Sequence, residues 1–194
     1  MHLSDADIQR EIEAGRIDVT PLSDPAVQIQ PAGVDIRLEN EFLEFTEEMK
    51  ESGCIDPTSE GARDAMDSVV LDDEETYVVE PGDFVLGSTV ESVSLSDEFV
   101  SFVNGRSTLG RLGIMIHATA GLVDPGWDGQ VTLEISNVGG VDIELTPGMR
   151  IGQLTFHRLE TPADRPYGVE RGSKYQGQSG VQPASTSDLE QPDF

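Results

Sequence analysis

The chain has 194 residues, with 37 acidic against 12 basic side chains and a formal charge of −25. Such a balance repels a polyphosphate backbone, and no basic stripe interrupts it, so nucleic acid is excluded as a partner. No apolar run approaches the ~20 residues of a membrane span, and a single cysteine, Cys54, rules out an internal disulfide and points to a reducing, cytoplasmic setting.

In chain order, residues 1–9 are acidic without an apolar centre, so they do not read as a signal peptide. Residues 4–14 read as a short amphipathic helix that Ser4 can cap, Asp5 and Asp7 favour at its positive end, and Gly15 can stop. Its Ile8 and Ile12 lie four apart and face the core. Residues 17–45 read as short extended pieces broken by Pro21, Pro25 and Pro31, and residues 34–38 alternate apolar and charged as a strand does. Residues 46–76, with Gly53, Pro57, Ser59 and Gly61, are polar and acidic and read as a surface excursion containing a helix-like run at 61–66.

Strand signals resume at 77–79 and 84–87, continue at 90–95 and 99–103, and return at 142–145 and 151–159. Many short strands separated by Gly and Pro turns predict an all-β barrel or sandwich. The chain divides into a β domain over 1–160 and an apolar-poor arm and tail over 161–194, with a disordered end expected from about residue 182.

Residues 104–137 concentrate the chemistry. Asn104-Gly105 marks a turn, and Arg106, Ser107, Thr108, Leu109, Gly110 and Arg111 follow in a window with only three acidic residues. Guanidinium and hydroxyl donors gathered in an acidic chain point to an anionic ligand, phosphate or carboxylate. Loop arginines paired with surface acids explain the same residues equally well. In the closing segment Val131, Leu133 and Ile135 alternate with Thr132, Glu134 and Ser136, which makes a strand with one apolar face and a carboxylate centred on the other.

These blocks resemble the dCTP deaminase family of the trimeric dUTPase-like superfamily. The match runs through Arg106-Ser-Thr-Leu-Gly-Arg-Leu-Gly113 and His117-Ala-Thr-Ala-Gly-Leu-Val-Asp-Pro-Gly-Trp127, and through Gln30-Pro-Ala-Gly-Val-Asp-Ile-Arg37. It continues in Pro147-Gly-Met-Arg-Ile-Gly-Gln-Leu154, Arg165-Pro-Tyr-Gly168 and Gly172-Ser-Lys-Tyr-Gln-Gly-Gln178. The resemblance implies a distorted β-barrel of the dUTPase-like (β-clip) type with a short N-terminal helix. It also implies a mobile C-terminal arm that closes over nucleotide and a homotrimer with sites between subunits. Its implied ligands are dCTP and dUTP, with dTTP as a feedback ligand and magnesium accompanying the triphosphate. The acidic, lysine-poor composition (Lys50 and Lys174 alone) further resembles proteins of salt-accumulating halophiles.

Hydrolytic deamination at cytosine C4 needs a water, a base for its proton and an acid for N3 and the leaving amine. Zinc deaminases use a His/Cys/Cys set, which one cysteine cannot supply, and His2, His117 and His157 have no metal-ligand spacing, so zinc is not expected. A partly desolvated carboxylate suits the proton shuttle instead. The resemblance places that role on Glu134, although an alternating-strand glutamate is otherwise solvent-facing. It places Ser107 and Arg111 on the attacking water, and Arg106, Ser107, Thr108, Lys174 and Gln178 on the triphosphate. Leu109, Gly110, Ala120, Thr132, Leu133, Gln153 and Tyr167 join the nucleotide-binding set by the same resemblance.

Asp124 forms a good turn with Pro125-Gly126 and, by resemblance, meets the deoxyribose. Gly121 and Leu122 resemble the dUMP-forming members, in which the same site goes on to release diphosphate. Trp127 and His117 read as structural. The competing expectations are a deaminase that stops at dUTP, a pure dUTPase and a non-catalytic nucleotide-binding protein.

Overall fold

A computed structural model describes residues 1–58 and 64–186. Ser59, Gly61, half of the helix-like run at 61–66 and the tail beyond 186 lie outside the described residues. Helix α1 (Asp5–Glu13) begins as its sequence requires. The Ser4 hydroxyl accepts the Asp7 N–H while the Asp7 carboxylate accepts the Ser4 N–H, and Gly15 takes a φ of 67° just past the end. Ile8 is fully buried and Ile12 packs against the core. The helix also buries Glu11, which pairs with Arg16 and, at 2.9 Å, with Arg158.

The strands that follow are β1 (Ile17–Thr20), β2 (Ile29–Gln30), β3 (Gly33–Arg37), β4 (Glu41–Phe45), β5 (Met66–Val70), β6 (Tyr77–Val79) and β7 (Phe84–Leu95). After them come β8 (Phe99–Gly105), β9 (Ile114–Met115), β10 (Leu122–Val123), β11 (Asp128–Asn137), β12 (Ile143–Leu145) and β13 (Arg150–Arg158). One sheet runs β5-β4-β7-β11-β9 with β1 also on β7, a second runs β10-β8-β13-β3-β2, and β12 pairs β6 separately. Their ladders are antiparallel. The fold is all-β as expected, its main sheets wrapping one core rather than joining into a single closed ladder among the described residues. Phe42, Phe99, Phe156, Leu133, Ile135 and Ile151 are fully buried in that core. No described helix is long and apolar enough to cross a membrane.

Three stretches differ from the sequence reading. Pro25 opens a helical turn, α2 (Pro25–Gln28), where only extended chain was expected, because proline is pre-set for the first helical position. The two segments at 84–87 and 90–95 form one twelve-residue strand. Gly87, where the first segment ends, is a packing glycine: a Cβ there would lie 3.1 Å from Ile135 Cδ1 and 3.2 Å from Leu38 Cδ1. The acidic excursion holds a helix, α3 (Glu47–Ser52), and β5, which pairs β4 from Glu41↔Val70 to Phe45↔Met66. This edge strand has no fully buried residue, so it lacks the alternation that announces a strand.

Candidate active site

Strand β11 folds as its alternation dictates, with Leu133 and Ile135 fully buried and Thr132, Glu134 and Ser136 half-buried on the opposite face. Short β9 pairs its end at Ser136↔Met115, and the chain then continues alongside β11. The Glu134 N–H donates to the Ile116 carbonyl at 3.0 Å, and the Ala118 N–H donates to Glu134 Oε2 at 2.7 Å. A charge-assisted bond from backbone fixes the carboxylate's orientation, with no ion pair to it among the described residues.

Residues 116–118 also border the loop carrying the arginines. Strand β8 ends at Gly105, and Arg106 precedes the single turn α4 (Ser107–Gly110), which buried Leu109 pins to the core. A cavity of about 310 Å³ opens among Arg106, Ser107, Gly110, Met115, Ile116 and His117. The Arg111 N–H closes the turn on the Ser107 carbonyl at 3.1 Å, and Thr108 and Arg111 are exposed. Among the described residues the Arg111 side chain makes no ion pair, with Glu134 or any other acid.

A second cavity of about 460 Å³ lies among Phe102, His117, Thr119, Gly121, Leu122 and His157. His117, read from sequence as structural, lines both cavities, and its buried Nδ1 has no hydrogen-bond partner among the described residues. Burial pushes the His157 imidazole below its usual 6.5, and the nearby His2 and N-terminal ammonium act in the same direction. Gly121 accepts the Val103 N–H at 2.7 Å, and Ala120 and Leu122 are exposed beside it.

Asp124 forms the turn its sequence predicts, its carbonyl accepting the Trp127 N–H at 3.1 Å. The arm crosses this turn closely. Tyr167 N–H donates to the Pro125 carbonyl at 2.7 Å, the Tyr167 and Trp127 rings lie 5.4 Å apart, and a Cβ on Gly126 would sit 2.5 Å from the Tyr167 carbonyl. The arm then follows β11: the Gln130 N–H donates to the Gln178 carbonyl, and Gln178 Nε2 donates to Thr132 Oγ1 at 2.6 Å. Lys174 Nζ donates to the Ser185 carbonyl at 3.0 Å.

The candidate residues therefore fall into two groups joined by the 116–118 segment. Thr132 and Glu134 lie on β11, where Gln178 joins them from the arm, and Asp124 and Tyr167 stand at the turn that leads into this strand. Arg106, Ser107, Thr108, Gly110 and Arg111 gather at α4. Gln153 stands with the second group through a residue the sequence reading passed over: its amide donates to Asp35 at 3.4 Å, and Arg106 lies 3.7 Å from the same carboxylate.

The sequence matches the dCTP deaminase-like family profile over residues 2–159. It is 57% identical over 183 residues to a protein of Haloarcula marismortui named dCTP deaminase, covering 94% of this chain and 93% of that one. It is 51% identical over 183 residues to a Halobacterium salinarum protein named dCTP deaminase, dUMP-forming, with the same coverage of each chain. A crystal structure of 2′-deoxycytidine 5′-triphosphate deaminase from Agrobacterium tumefaciens superposes with a TM-score of 0.62 at 23% identity, over 80% of this chain and 46% of that one. That likeness bears on the fold.

Proposed function

The chain belongs to the dCTP deaminase family, and from that premise we propose that it hydrolyses dCTP at cytosine C4 and carries the product on to dUMP and diphosphate. The observation that carries this reading is the Glu134 carboxylate held by the Ala118 N–H at 2.7 Å, on the segment that borders the Arg106–Ser107 cavity.

In this reading Glu134 takes a proton from a water that adds to C4. It passes protons to N3 and to the departing amine, so that dCTP and water give dUTP and ammonia. Ser107 and Arg111 hold that water, and Arg106, Ser107, Thr108, Gln153, Lys174 and Gln178 hold the phosphates. The main chain at Leu109, Gly110, Ala120 and Leu133 shapes the pocket, and Tyr167 and Thr132 cover the nucleotide. Phosphate oxygens and water would be the main ligands of magnesium, which would supply charge neutralisation when bound. Asp124 orients the second water, which displaces diphosphate from the α-phosphate, with Gly121 and Leu122 leaving it room. The family's homotrimer would complete the site, which accords with Arg111 standing unpaired with Glu134 inside one chain.

Incubation with dCTP and magnesium, followed by separation of the nucleotides, tests this directly. Ammonia, dUMP and diphosphate are expected. Accumulating dUTP without diphosphate would remove the second step, and unchanged dCTP would remove both.

A further inference from the structure

Asp35 sits on β3 with 3% of its surface exposed, at a position whose alternation with Val34 and Ile36 makes it look solvent-facing. Its Oδ2 accepts from Arg150 Nη1 at 3.0 Å and faces Arg106 Nη2 at 3.7 Å, while its Oδ1 accepts from the Gln153 amide at 3.4 Å. Arg106 Nη1 also donates to the Arg150 carbonyl at 3.3 Å. Two guanidinium groups thus converge on one buried oxygen, one on the loop before α4 and the other at the start of β13.

Among the described residues, the charge balance of this cluster differs from that of the other multi-arginine cluster. Arginines also gather around buried Glu11, but there Asp7 and Glu98 add further carboxylates to Arg10 and Arg158. Around Asp35 one carboxylate faces two arginines, leaving one positive charge in a chain of −25. The carboxylate side chain is 4% exposed, whereas the arginine side chains are 31% and 38% exposed. Each guanidinium has five N–H donors, and the contacts to Asp35 and the Arg150 carbonyl occupy only some of them. A buried acid that holds two arginine heads at the surface fixes their orientation for a planar, multiply charged acceptor.

We propose that Arg150 is a phosphate-binding residue alongside Arg106, and that Asp35 is the positioning residue that holds Arg106, Arg150 and Gln153 as one cradle for the phosphate chain of the nucleotide. This rests on the placement of the phosphates at Arg106. Arg150 lies outside the residue set that the family resemblance supplied, and its place comes from the shared carboxylate alone.

The test compares Arg106→Ala, Arg150→Ala and Arg150→Lys in the full chain. The readouts are KM and kcat for dCTP, and competitive inhibition by inorganic triphosphate and by dCMP. Arg150→Ala should raise the KM for dCTP and weaken triphosphate inhibition about tenfold, the scale of one charge-assisted hydrogen bond. Inhibition by dCMP should stay within about twofold, because an uncharged or monophosphate end does not reach a cradle for the outer phosphates. Arg150→Lys should recover part of the loss, as a point charge without the fork. If Arg106→Ala weakens triphosphate binding and Arg150→Ala does not, the inference falls while the site reading stands. If Arg106→Ala also has no effect, the phosphate placement itself is wrong and the cradle falls with it. Equal losses for triphosphate and dCMP in Arg150→Ala would mark a merely structural arginine and overturn the proposal.

Discussion

A glutamate on a strand's polar face has no chemistry until something aims it. Here the aim comes from the Ala118 amide, which an amide oxygen can accept as well as a carboxylate can. Glu134→Gln should therefore keep the fold and nucleotide binding, yet lower kcat by about 10²–10⁴-fold, because glutamine cannot take the water's proton. Single-turnover deamination beside a dCTP binding isotherm checks this, and a variant with more than a tenth of normal turnover would remove Glu134 from the mechanism. Gly121 makes a different kind of prediction. A Cβ there would lie 3.1 Å from the Val103 carbonyl and 3.5 Å from the His117 ring, so a side chain must crowd the space around His117. Gly121→His should lower diphosphate release from dUTP more than ammonia release from dCTP, shifting the product toward dUTP. Equal losses in both steps would mean the glycine serves only its turn.

At the scale of elements, the arm and the β4–β5 hairpin belong together. Val181 is 5% exposed and packs with Leu43, Leu86 and partly buried Met66, from β4, β7 and β5. The Gly180 N–H donates to Gln130 Oε1 at 2.6 Å, and the Ser185 N–H donates to the Tyr175 hydroxyl at 2.7 Å. Val181→Asp places a charge in that apolar niche. It should speed limited proteolysis between residues 172 and 186 and raise KM for dCTP, while Val181→Ile should do neither. Deletion from Gly172 should raise KM and lower kcat together, and deletion from Thr186, beyond these anchors, should change little. Equal behaviour of the two truncations would show that the anchors do not matter.

None of this latch was legible beforehand, because Val181 is one apolar residue in a polar tail and β5 carries no period. Strand β11 was legible because its neighbours bury one face only, so burial and sequence keep the same period of two. Strand β3 misled for the opposite reason: both its faces are buried, and the arginine that makes its aspartate tolerable lies 115 positions away. Local sequence shows alternation, and it does not show which charge a distant strand will bring.

For the whole molecule, the charge of −25 sets a prediction that needs no site. Like charges on a compact chain repel over the Debye length, which shrinks from about 10 Å at 0.1 M salt to about 3 Å at 1 M. Raising KCl from about 0.1 to 2 M should therefore raise Tm. A flat or falling Tm would mean that the exposed pairs lost to screening, such as Arg10–Asp7, outweigh the relief of repulsion. Assembly makes the last prediction. Within one chain Glu134 is held by Ala118, and Arg111 makes no ion pair among the described residues. If the site joins Glu134 of one subunit to Ser107 and Arg111 of the next, neither Glu134→Gln nor Arg111→Ala homotrimers can deaminate. Denaturing the two variants together and refolding them at equal ratio should restore activity, since roughly a quarter of the sites in randomly mixed trimers pair an intact glutamate with an intact arginine. Mixing them without refolding should restore little until subunits exchange. Activity that stays at background after co-refolding, with mixed trimers confirmed by native mass spectrometry, would place the glutamate and the arginine of each site in the same chain.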